Sequence, residues 1–266
     1  MLDPYNRRIN YLRVSVTDRC DLRCVYCMPA EGVIPMTHAE ILSYDEILTV
    51  VKEAVKLGVD KVRLTGGEPL VRKGIVDLVS MISNVEGIKD LAMTSNAITL
   101  DRYAVSLKAA GLHRVNISLD TIDPDKYSQI TRGGDVNRVF KGIKAAEEAG
   151  LTPIKLNCVV TQSSDEPDAL LVKDFAEKHA YEVRFIHLMD LENGYFEPVE
   201  GGEGGICSRC NRIRLTSNGM IMPCLFSTRG YSVRELGAKL ALESAIINKP
   251  KQGGKNPEGH FYEIGG

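Results

Sequence analysis

From residue 12 to residue 188 the chain alternates between two hydrophobic rhythms. Short apolar runs with a period of two, at 12–17, 61–65, 91–95, 114–119, 154–160 and 182–188, read as strands. Between them apolar residues recur every three or four positions, the signature of helices packed on one face. The first helix opens at Ser43-Tyr44-Asp45-Glu46, a capping box, and aligns Ile47, Leu48, Val51, Ala54 and Val55 before Gly58 stops it. Further helices follow at 75–83, 101–110, 136–149 and 168–178, with Gly111 and Gly150 as stops; Val139, Phe140, Ile143 and Ala146 share one face. Strands joined through helices predict an α/β fold with a parallel sheet and right-handed crossovers. Six such units fit a partial (βα)6 barrel better than a closed eight-fold one. In such folds functional groups gather where the strands end and the βα loops begin.

Past residue 191 this rhythm stops. Residues 192–206 are acidic and glycine-rich and read as a flexible linker. Beyond it, 213–216 and 220–223 flank Ser217-Asn218-Gly219, a hairpin signal. The expected division is therefore 1–191 as the barrel, 192–206 as the linker, and 207–266 as a C-terminal extension. With 44% hydrophobic and 26% charged residues among 266, the composition is that of an ordinary globule. A net charge of −2 supplies no basic field for nucleic acid. No apolar run is long enough to span a membrane, and residues 1–10 lack the apolar core of a signal peptide. The seven cysteines, with no export signal, point to a reducing cytoplasm.

Six of those cysteines fall in two trios, which is where chemistry enters. Cys20, Cys24 and Cys27 lie on one short loop after the first strand, at C-x3-C-x2-C spacing. Three thiolates can hold three corners of a 4Fe–4S cube and leave the last iron open to a small molecule. Zinc normally wants four ligands, or three with at least one His when catalytic, and the nearest His is His38. A disulfide framework suits the composition still less. Cys207, Cys210 and Cys224 again offer three thiolates; here zinc is the stronger rival, because C-x2-C plus a later ligand is common in zinc ribbons. The hairpin would carry Cys224 back towards Cys207 and Cys210. Cys158, alone in an apolar strand, reads as core filler. At the second strand's end, Thr65-Gly66-Gly67-Glu68-Pro69 would let the backbone approach a ligand closely. Thr94 and Ser118 offer hydroxyls at the ends of the third and fourth strands.

The cysteine spacing, with Tyr26 before the third cysteine and the GGEP-like 66–69 segment, resembles the radical S-adenosylmethionine (SAM) enzymes. That resemblance implies a cluster whose open iron chelates SAM, SAM cleavage by one electron, and hydrogen abstraction from a substrate. Glu68, with Gly66 and Gly67, would meet the SAM amino group. With both trios the chain is similar to the GTP 3′,8-cyclase family of molybdenum-cofactor biosynthesis, over 12–191, 207–226 and the last three residues. The family resemblance implies two 4Fe–4S clusters, the second in the C-terminal extension and holding the guanine of GTP. It also implies hydrogen abstraction at ribose C3′, closure onto C8, and a product consumed by cyclic pyranopterin monophosphate synthase. An electron donor such as flavodoxin or ferredoxin is implied, and a homodimer is compatible with it.

Residue by residue, the resemblance makes Arg13, Lys61, Arg63, Lys155, Asn157, Arg184, Arg212 and Arg214 substrate contacts. It makes Thr94, Ser118 and Met189 SAM-side contacts, and Arg212, Arg214, Gly265 and Gly266 catalytic, with the terminal glycines reaching into the site. Arg is suited to phosphate recognition, and these cations are expected at strand mouths. The chain departs from the pattern in a short 190–206 segment, in His187 where the family usually has Glu, and in a tail only loosely similar between Phe226 and Phe261. Two rival functions remain at this point. A peptide-modifying radical SAM enzyme would not need Arg212 and Arg214. A non-catalytic iron–sulfur or zinc scaffold would not need the GGEP-like segment.

Overall fold

A computed structural model describes residues 1–257. The expected strands form as β1 (Tyr11–Ser15), β2 (Lys61–Thr65), β3 (Asp90–Ser95), β4 (Arg114–Ser118), β5 (Lys155–Val160) and β6 (Glu182–His187). All neighbours among them pair in parallel, in the order β6-β5-β4-β3-β2-β1. The helices are α1 (Tyr44–Lys56), α2 (Ile75–Ser83), α3 (Ala104–Ala109), α4 (Pro124–Thr131), α5 (Val136–Glu148) and α6 (Pro167–Lys178). The capping box of α1 is complete: Glu46 N donates to Ser43 Oγ at 3.2 Å, and Ser43 N to the Glu46 carboxylate at 2.7 Å. Helix α4 escaped the hydrophobic pattern because few of its positions are apolar. Its start signal was present, since Asp123 accepts from Asp125 N and Lys126 N and Pro124 follows it.

Alternation along each strand sorts the two faces of the sheet. Leu12, Val14, Val62, Leu64, Leu91, Met93, Val115, Ile117, Leu156 and Val160 are all buried in one apolar core with Ile47, Val51, Leu78, Leu107, Ile143 and Val172 from the helices. Cys158 belongs to that core, as core filler. The residues between them, Arg13, Arg63, Thr94, Ser118, Asn157 and Arg184, line a single cavity on the opposite face.

After β6 comes β7 (Arg212–Leu215), which pairs in parallel with the free edge of β1: Leu12 opposes Ile213 and Arg13 opposes Arg214. Strands β8 (Met220–Met222) and β9 (Tyr231–Ser232) continue the sheet antiparallel. Helices α7 (Val233–Leu236) and α8 (Ala238–Ile247) follow, and α8 packs against α1 with Ala241, Leu242, Ala245 and Ile246 buried. The C-terminal stretch is thus built into the main sheet. Residues 192–206 run beside β6, where Phe185 and Glu200 exchange backbone hydrogen bonds at 3.1 and 3.0 Å. Among the described residues no helix is long and apolar enough to cross a membrane.

Candidate active site

The loop after β1 is moulded by the turn after β2. Gly67 N donates to Thr17 O and Glu68 N to Arg19 O, both at 2.8 Å. A Cβ on Gly67 would stand 2.1 Å from Arg19 O, and Gly66, at φ +147°, would place one 2.5 Å from Thr17 O. The close approach these glycines permit is therefore, first of all, to the cysteine loop's own backbone, while both also line the cavity. Glu68 is buried and accepts from Leu70 N (3.1 Å), Asn96 N (2.7 Å) and Ser95 Oγ (2.9 Å). Burial nevertheless dominates and pushes its carboxyl up to about 7.

The loop's far side is fixed by Val25 N donating to Ile130 O at 2.9 Å, and by Arg132, which donates to Arg23 O and Met28 O. Tyr26 donates to Asp120 Oδ2 at 2.6 Å, and Asp120 Oδ1 accepts from Val159 N. Asp120 and Asn96 escaped the sequence reading, being single polar residues in no motif. Asn96 Nδ2 bonds Asp21 at 2.6 Å and lies 3.9 Å from Cys20 Sγ. All six trio cysteines are free, partly exposed, and line the cavity. Burial raises the thiol of Cys24 to about 12, helped by Asp120, and that of Cys27 to about 11; Cys20 rises further. A metal group arriving there must displace their protons.

Between the trios the cavity, of about 370 Å³, is basic. Arg13, Arg63, Arg184, Arg212 and Arg214 all line it. Burial lowers the pKa of Arg13, Arg63, Arg184 and Arg214, and neighbouring arginines add to the effect for each. Arg63 sits 5.4 Å over the Tyr11 ring. Among the described residues Arg63 Nε, Arg184 Nε and Thr94 Oγ1 are buried without a hydrogen-bond partner, as groups awaiting a ligand would be.

The expected placement of the cations at the strand mouths needs correction. Arg13, Arg63 and Arg184 occupy the third position of their strands and so face the middle of the cavity. Lys61 and Lys155 begin theirs, at the opposite end; Lys61 is exposed, Lys155 pairs with Glu182, and neither lines the cavity. Arg114, unassigned by sequence, sits in the same face of β4, bound to Asp90 at 2.6 Å and Asn116 at 3.0 Å.

The second trio reaches this cavity from the other end. Cys207 and Cys210 sit in and just after a 3-10 turn before β7, and Cys224 follows β8. Because β7 runs parallel to β1, the two trios stand at opposite ends of adjacent strands. The wall on the β6 side is residues 196–206, clasped by His187, whose Nε2 lies 3.2 Å from Glu200 and Nδ1 3.4 Å from Glu197. Met189 lines the cavity beside it. Gly265 and Gly266 lie outside the described residues. Asn256 and Pro257 border a second hollow together with Cys27 and Met189.

Residues 14–175 match the profile of the Radical SAM superfamily. A protein of Alkaliphilus oremlandii named GTP 3′,8-cyclase is 43% identical, covering 95% of this chain and 94% of its own. One of Clostridium botulinum, with the same name, is 40% identical over the whole of both chains. That second alignment occupies 319 positions against 266 residues here, the difference being residues the relative has and this chain lacks. Among solved structures, Streptococcus suis SuiB bound to the precursor peptide SuiA superposes with a TM-score of 0.70 at 17% identity, covering 92% of this chain and 66% of that one. Methylornithine synthase (PylB) gives a TM-score of 0.58 at 16% identity, over 91% of this chain and 71% of that one. At these identities the two solved structures speak for the fold alone.

Proposed function

Because the chain belongs to the radical SAM superfamily and, within it, to the GTP 3′,8-cyclase family, we propose that it cyclises GTP to 3′,8-cyclo-7,8-dihydro-GTP. This is the first step of molybdenum-cofactor biosynthesis. The observation that carries the reading is one cavity lined by both cysteine trios, with five arginines between them. Cys20, Cys24 and Cys27 fit a 4Fe–4S cluster: they are free thiols on one fixed loop that opens on the cavity. Cys207, Cys210 and Cys224 fit a second by the same test. With SAM bound, the first cluster would supply one-electron cleavage of SAM and so a hydrogen-abstracting radical.

The chain's own residues do the rest. Tyr26, held by Asp120, and Glu68, held by Ser95 and Asn96, shape the SAM side of the cavity together with Gly66, Gly67, Thr94, Ser118 and Met189. Arg13, Arg63, Arg184 and Asn157 face the middle, where the anionic nucleotide would lie. Arg212 and Arg214, two apart on β7, present their guanidinium groups on the same face as Arg13. Lys61, exposed outside the cavity wall, steers the nucleotide by charge, and Lys155, paired with Glu182, does not touch the reacting sugar. Gly265 and Gly266 assist the cyclisation from the tail. The product goes to cyclic pyranopterin monophosphate synthase, and electrons come from a flavodoxin or ferredoxin in the cytoplasm.

Anaerobic reconstitution followed by assay with GTP tests the proposal. About eight irons per chain, 5′-deoxyadenosine and the cyclic product are expected. Cys24→Ala removes one of three ligands of the first cluster and should abolish 5′-deoxyadenosine. Normal 5′-deoxyadenosine formation by that variant would defeat the assignment.

A further inference from the structure

Lys249, two residues after α8, is 3% exposed yet lines the cavity. Its ammonium donates to Arg212 O at 2.7 Å and to Pro223 O at 2.6 Å. Those two carbonyls flank the second trio: Pro223 precedes Cys224, and Arg212 lies two residues beyond Cys210. An ammonium has three N–H donors, so one remains after both carbonyls are served. Burying an ammonium is costly unless it is paired and hydrogen-bonded, which makes a position with this set of neighbours a specific one.

The same turn is held from the other side. Arg7, itself buried and paired with Asp3 at 2.6 Å, donates to Cys207 O at 2.8 Å, Pro250 O at 2.6 Å and Lys251 O at 2.9 Å. The segment 249–251 is thereby clamped between the peptide carrying Cys207 and Cys210 and the one carrying Cys224. Two separate stretches of chain must meet for the trio to exist, and Lys249 bonds both, one just after Cys210 and the other just before Cys224.

We propose that Lys249 is a positioning residue of the second cysteine trio. It ties β7 to the end of β8 through two carbonyls, and its ammonium lines the same cavity as the three cysteines and the cluster they would hold. The inference rests on the second-cluster reading above. A positive charge beside a cluster stabilises its reduced form, so removing it lowers the cluster's reduction potential.

The test compares wild-type chain with Lys249→Met, which keeps the length of the stem, and Lys249→Arg, which keeps the charge and the donors. Each is reconstituted anaerobically, its iron counted, and its clusters titrated against potential by electron paramagnetic resonance. About eight irons are expected in wild type. The Met variant should lose the second set, or keep it at a lower potential, while retaining the first cluster's signal as proof of fold. The Arg variant should stay near wild type. Unchanged iron and potential in the Met variant would overturn the assignment, as would equal loss in the Arg and Met variants. Only four irons in wild type would instead overturn the two-cluster reading, and the role of Lys249 with it.

Discussion

Burial and hydrogen bonding pull in opposite directions on Glu68. Three donors favour its carboxylate, yet desolvation prevails and lifts it from 4.5 to about 7. Between those values the folded chain keeps a proton that the unfolded chain has lost, so stability falls as pH rises. The full stability is present below about pH 4.5 and is lost as pH passes through about 7, a loss of up to about 3 kcal/mol. Urea midpoints of the SAM-free chain measured from pH 5 to pH 8 should show that slope, and Glu68→Gln should flatten it. A variant with the wild-type slope would assign it to other groups. At this scale the sequence was legible where spacing carried meaning, as in the cysteines. Asp120, Asn96, Arg7 and Lys249 were not legible, because each is a lone polar residue whose partners lie far away in the chain. Asp120 meets Tyr26 across 94 residues, and Arg7 meets Cys207 across 200.

At the scale of elements, the six-fold alternation of strand and helix was readable because each unit's period differs clearly from the next. What the pattern could not carry was β7's second partner. Residues 213–216 announce a hairpin with 220–223, and that hairpin forms, with Arg214 opposite Met222 and Leu215 opposite Ile221. Nothing local says that the same strand also seals β1. Helix α8 was unread for a related reason: it is apolar enough that no single face stands out, and it is defined by what it covers. The seal can be tested. Ile213 is fully buried opposite Leu12, so Ile213→Ala should cost about 2–5 kcal/mol by the loss of packing and the cavity left behind. Denaturant unfolding measures it, and a loss under about 1 kcal/mol would mean that β7 is only loosely docked.

For the whole molecule, the arginine-lined cavity gathers like charges in one place. Burial and mutual repulsion already disfavour the charged forms of Arg13, Arg63, Arg184 and Arg214. A polyanion should relieve that strain, so GTP should raise the melting temperature of the reconstituted chain much more than guanosine does. At a hundredfold excess over the dissociation constant, GTP should add about 2.7 kcal/mol. Arg63→Gln should lower GTP affinity about ten- to a hundredfold while raising the melting temperature of the nucleotide-free chain. Equal stabilisation by GTP and guanosine would place the phosphates outside the cavity.

The pairing of β1 with both β2 and β7 also fixes an order in time. One edge of β1 meets β2 as soon as residue 65 is made, but the other waits for β7. The side chains of Asn10 and Asn211, which meet at that seam, are 201 residues apart. From the end of β2 at residue 65 to the end of β7 at residue 215, a ribosome making ~5–20 residues per second needs roughly 7–30 s. For that interval the nascent chain carries the unpaired edge of a parallel sheet, a template for wrong strands. Chaperone dependence during synthesis, rather than weakness of the finished fold, is the consequence to look for when this protein is produced at high rate.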